Sequence, residues 1–153
     1  MRNQRKLHIE QLDRKLTPFQ GMQNVIIPDK GWIYTIRVAL NITLAQLGTK
    51  LNMTKQGINK IEERESNGTI SIKSLKEIAE VLDMHFAYGF IPKDKTLENL
   101  VSLKAEELAR KIVLRTSHTM KLENQGNSDV QIARAIAELT QEIKNEMPKS
   151  LWD

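Results

Sequence analysis

Lys55, Gln56, Asn59 and Lys60 fall on one face if TKQGINKIE, residues 54–62, coils into a helix with Ile58 and Ile61 turned inward. Their chemistry suits base edges, lysine toward guanine and the carboxamides toward adenine. A second pair lies in TMKLEN, residues 119–124. Thr119 and Glu123 are i and i+4 and share a face. The stop signal Gln125-Gly126-Asn127 follows, so Glu123 ends a helix. A helix C-terminus carries partial negative charge and prefers Lys, Arg or His. Lys111 and Lys121 lie off the Glu123 face, and Arg115 reaches only part-way. A carboxylate placed there is poised for a cation from elsewhere. A well-paired arginine contributes roughly 1–3 kcal/mol as a charge-assisted hydrogen bond.

Other chemistries find no support. The 153 residues contain no cysteine, which removes disulfides, thiolate metal sites and cysteine nucleophiles. His8, His85 and His118 stand far apart, without a second ligand at i+3 or i+4. There is no GxGxxG, no Walker motif and no useful Ser/His/Asp grouping. The expectation is a non-enzyme without metal or cofactor. No apolar run has the length of a membrane span and no signal peptide is visible, so a cytoplasmic protein is expected. The net charge is +4, and its distribution says more. Residues 31–60 hold Arg37, Lys50, Lys55 and Lys60 and no acid, whereas residues 61–91 hold three basic and six acidic side chains. A polyanion would meet the first of these stretches.

The elements that must position these residues are helical. Residues 1–30 read as an amphipathic helix, ended at Thr17-Pro18, and a linker. Residues 31–92 read as a run of short helices. Trp32, Ile33, Ile36 and Leu40 mark the first, with Trp32 expected in the core. Thr43 caps the second, Thr54 the third and Ser71 the fourth. In residues 85–91, HFAYGFI, Phe86, Tyr88 and Phe90 alternate, which predicts a short strand. A lone strand must pair with an extended piece of the chain or with a second subunit. Residues 93–153 return to helical spacing, with Ser128 and Gln131 forming a capping box. Trp152 lies past the last helix. The expected fold is mainly α: a five-helix-like domain of phage-repressor type, a short β-strand and a C-terminal helical extension.

Residues 43–62 hold two short helices, TLAQLGTKL and TKQGINKIE, joined around Asn52-Met53. Ala45 and Gly48 allow close approach, and Leu47, Leu51, Ile58 and Ile61 lock the pair. These are the needs of a helix-turn-helix; a plain helical hairpin with a polar face is the bland alternative. The free amides and hydroxyls at Thr43 and Thr54 suit phosphates. Over residues 31–84 the chain resembles the phage-repressor-like, or XRE, helix-turn-helix family. The resemblance implies a structural ion pair between Arg37 and Glu62, and two-fold dimers on palindromic DNA. Leu44 stands where many members have a DNA-gripping Gln, and Asn52 replaces the turn glycine.

TMKLEN also resembles the inhibitory motif [Ser/Thr]-x-x-x-Glu-[Gly/Asn] of Fic-domain regulation, matched at Thr119, Glu123 and Asn124. Fic proteins transfer AMP from ATP to a target hydroxyl. The motif's Glu pairs with the arginine that would otherwise hold the ATP γ-phosphate. The whole chain resembles the family called mobile mystery protein A, on LDRKL at 12–16, GWIYTIRVAL at 31–40 and SHTMKLENQ at 117–125. Its members are encoded beside a Fic-domain partner. The resemblance implies an antitoxin: an autorepressor that binds a palindromic operator as a homodimer and inhibits a Fic adenylyltransferase through Glu123. The competing reading is a stand-alone transcriptional regulator whose tail only dimerises.

Overall fold

The computed structural model describes residues 2–122 and 128–153, with side chains described for 4–118 and 128–153. The described chain is helical: α1 (Arg2–Leu16), a 3-10 helix (Thr17–Asn24), α2 (Trp32–Ala39), α3 (Leu44–Leu51), α4 (Lys55–Asn67), α5 (Ile72–Val81), α6 (Leu97–Leu122), α7 (Asp129–Glu146) and a final 3-10 turn (Lys149–Trp152). It divides into two compact units. One is Asn24–Tyr88; the other joins Met1–Gln23 to Gly89–Asp153.

In the Asn24–Tyr88 unit, α2 to α5 close over Ile33, Leu47, Ile58, Ile61 and Ile78. Leu47 and Ile58 are fully buried; such burial stabilises by about 1.5–3 kcal/mol per side chain. Three of the helix starts are set by hydroxyls. Thr43 Oγ1 accepts from the Gln46 amide, and the Gln46 side chain accepts from the Thr43 amide. Thr54 Oγ1 accepts from Gly57 N and Ser71 Oγ from Ser74 N. Gly31 precedes α2 at φ 86° and has no side chain to cap with. Glu65 supplies the cap from α4, its carboxylate accepting from Ile33 N at 2.7 Å. Glu65 is thus a structural group. Trp32 is 41% exposed and Ile33 takes the core position.

The second unit is built on the antiparallel pair α6 and α7, which packs Val101, Ala105 and Ala109 against Ile136 and Ile143. The alanines permit close approach of the two helices, and Leu151 of the final turn closes the core. Ser128 and Gln131 form the capping box that starts α7. Helix α1 is fastened to one end of the pair, where α6 begins and α7 ends. Asp13 accepts from the amides of Leu97 and Glu98 at the start of α6, and Arg5 donates to the carbonyl of Glu146 at the end of α7. A carboxylate at a helix N-terminus and a guanidinium at a C-terminus both suit the helix dipole.

The strand expected at 85–91 does not form. Residues 85–91 carry no helix or strand assignment, and no strand occurs among the described residues. The alternation of Phe86, Tyr88 and Phe90 is real, but among the described residues no strand is there to pair with it. The aromatics use other contacts: Phe86 stacks on Tyr88 with ring centroids 6.0 Å apart, and Lys76 Nζ lies 5.8 Å from the Tyr88 ring.

Candidate nucleic-acid interface

The joint between α3 and α4 explains how a recognition face can be held. Asn52 ends α3 in the left-handed region, at φ 54° and ψ 44°, a conformation that asparagine tolerates better than most residues. The Met53 amide then returns to the Gly48 carbonyl at 2.8 Å, closing the helix end in the manner of a Schellman turn. The turn comes so near α3 that a Cβ at Gly48 would stand 2.6 Å from the Met53 carbonyl oxygen. Glycine at 48 is therefore a steric requirement. Leu47, Gly48 and Ile58 lie buried at this crossing, and α4 leaves the turn with its polar face outward.

Lys55, Gln56, Asn59 and Lys60 are all exposed on α4. Asn59 Nδ2 donates to Glu63 Oε1 at 3.3 Å, an exposed link one turn apart. Glu63 shares this face, and a carboxylate there can accept from a cytosine amino group. The backbone amides of Lys55 and Gln56 precede the first intrahelical bond, which Ile58 N makes to the Thr54 carbonyl. Those amides suit phosphate contacts. Thr43 and Thr54 are exposed, their side-chain oxygens accepting amides of their own helices.

Behind this face, Arg37 and Glu62 meet in the interior. Arg37 Nε donates to Glu62 Oε2 at 2.7 Å and its second amino nitrogen to Oε1 at 3.0 Å. The remaining amino group donates to the Ile42 carbonyl at 2.9 Å. The carboxylate hydrogen bond raises the Arg37 pKa above the usual guanidinium range, against a smaller opposing effect of burial. Its charge is therefore permanent, and the bridge ties α2 to α4. Breaking one side of such a buried pair costs about 3–5 kcal/mol.

Sequence reasoning missed two residues beside the recognition face. Lys30 Nζ sits 4.6 Å from the Tyr34 ring centroid and donates to its hydroxyl at 3.4 Å. With Asn59 and Glu63 they line a shallow cavity of about 570 Å³. The i,i+4 spacing of Lys30 and Tyr34 was the available signal. The other sequence-derived site lies elsewhere: Thr119 is in the last turn of α6, while Glu123 and Asn124 lie outside the described residues.

A family model described as helix-turn-helix matches residues 33–88. The chain thus carries a helix-turn-helix domain of XRE type, a DNA-binding class and not a catalytic one. No curated protein matches the chain, and no solved structure matches it. Among the described residues no helix is long and apolar enough to cross a membrane.

Proposed function

We propose that this chain is the antitoxin of a Fic-type toxin–antitoxin module. The helix-turn-helix binds a palindromic operator as a homodimer and represses transcription. The end of α6 inhibits a partner Fic adenylyltransferase, with Glu123 set against the arginine that holds the ATP γ-phosphate. Thr119 and Asn124 are the other two residues of the motif that act with Glu123. Both roles belong in the cytoplasm, and neither needs a cofactor or catalysis by this chain. The DNA-binding half rests on the exposed face of α4 and the matched domain. The observation that carries the inhibitory half is α6 itself, a 26-residue helix outside the DNA-binding unit that runs to Leu122, where the motif stands.

The test is Glu123→Gly in complex with the Fic-domain protein encoded beside this chain. AMP transfer from ATP should rise at least tenfold while the two proteins still copurify. Unchanged inhibition removes the role given to Glu123. The second reading, a stand-alone regulator whose tail dimerises, draws on exposed Leu103, Ile112 and Leu114 along α6. It predicts that no Fic-domain gene adjoins this one.

A further inference from the structure

Lys30 is exposed, yet the turn that carries it is firmly held. The turn closes from Gly31 N to the Pro28 carbonyl at 2.9 Å. Helix α4 fastens it from behind. Ser66 Oγ donates to the Asp29 carbonyl at 3.1 Å, and the Glu65 carboxylate accepts from Ile33 N at 2.7 Å. Gly31 stands so close that a Cβ there would meet that carboxylate at 2.7 Å. The turn is therefore tied to the recognition helix itself. The lysine head is held as well. Lys30 Nζ lies 4.6 Å from the Tyr34 ring centroid, and the Arg37 guanidinium lies 5.4 Å from the same centroid. Glu62 fixes Arg37 through two hydrogen bonds, so the ring rests against an anchored group. Two cations on one ring are attracted by its π face. Ordering a long lysine side chain costs conformational entropy, and a bound anion would be the group that uses this order.

The hydrogen bond within the pair has a direction. Lys30 Nζ donates to the Tyr34 hydroxyl at 3.4 Å. An ammonium only donates, so the phenol proton is left to donate onward, and Lys30 keeps two further N–H groups. Among the described residues Lys30 is in no ion pair. Glu62 is matched by Arg37, and Glu63 accepts from Asn59. The pair thus offers a cation and a hydroxyl donor side by side, which suits one anion with several acceptor oxygens. Position says which anion. Lys30 and Tyr34 line one cavity with Asn59 and Glu63 of the recognition face. A helix with its side chains is about 10–12 Å across, and the major groove is about 12 Å wide. With α4 in the groove, a group standing beside it meets the sugar–phosphate wall. The Glu63 carboxylate repels a phosphate, so the contact belongs on the Lys30–Tyr34 edge of the cavity.

We propose that Lys30 and Tyr34 grip one backbone phosphate on the wall of the groove that α4 enters. The grip fixes the register of the recognition helix and reads no sequence. This proposal rests on the DNA-binding half of the reading above and is independent of the inhibitory half. The probes are a duplex enriched from a random library by the wild-type chain and a random-sequence duplex of equal length. Affinity of the full chain is measured by fluorescence anisotropy over a salt series. Lys30→Gln and Tyr34→Phe should each weaken both duplexes alike, about three- to tenfold, and Lys30→Gln should flatten the salt slope by about 1. Tyr34→Phe keeps the ring against Arg37, so its melting temperature should match the wild type and its loss reports the hydroxyl. Neutral methylphosphonates placed singly along the enriched duplex should reveal one position where the wild type loses affinity and both variants do not. Unchanged affinity and salt slope in both variants overturns the proposal, while tight wild-type binding of the enriched duplex leaves the DNA-binding reading standing. Loss confined to the enriched duplex also overturns it, because that pattern marks a base contact. A wild-type chain that enriches no sequence and binds neither duplex removes the DNA-binding reading and the proposal together.

Discussion

Gln56 is the side chain on α4 best suited to choose between DNA sequences. It is exposed in the first turn of α4, and a carboxamide can pair bidentately with adenine. Gln56→Ala should cost about 1–3 kcal/mol on the cognate operator and almost nothing on random DNA, measured by titration at fixed salt. Equal loss on both would reject base reading. Lys55 and Lys60 carry positive charge to the same face, and phosphate contacts weaken all sequences alike. Asn59 must first release Glu63, an exposed bond of little net worth. Arg37 and Glu62 were recognisable only through the family resemblance. Two residues 25 positions apart have no local spacing to join them. Glu65 was missed for the same reason: its partner, the Ile33 amide, is 32 residues away.

Among the elements, the α3–α4 joint does the most to hold the recognition helix. Helix propensity alone favours alanine over glycine by about 1 kcal/mol, so Gly48→Ala would stabilise an isolated helix. Within the fold, the new Cβ meets the Met53 carbonyl at 2.6 Å. That contact is backbone and cannot rotate away. Gly48→Ala should therefore lose about 1–3 kcal/mol in urea unfolding; an unchanged or higher midpoint would show that the turn yields. This joint was readable in the sequence because all its parts lie within residues 43–62: caps at Thr43 and Thr54, a tolerant Asn52, small residues at the crossing. Residues 85–91 were not, because alternation states which side chains share a face and says nothing about where a pairing edge is.

Among the described residues, the two buried clusters share no side chain. Leu47→Ala should remove about 2–5 kcal/mol from the Asn24–Tyr88 unit. Hydrogen exchange should then quicken in α2 to α5 while the amides of α6 and α7 keep their protection. Equal loss in both would mean that the chain unfolds as one body.

The residues established much of this protein unaided: helical class, most helix ends, the helix-turn-helix, and the acid-free stretch 31–60. Those features depend on neighbours within a few turns, where periodicity and capping chemistry operate. Only the tertiary structure decided that α1 is fastened where α6 begins and α7 ends, that Glu65 caps α2, and that Trp32 yields the core to Ile33. Each depends on which segments distant in sequence pack together, and hydrophobic burial sets that without leaving a local pattern to read.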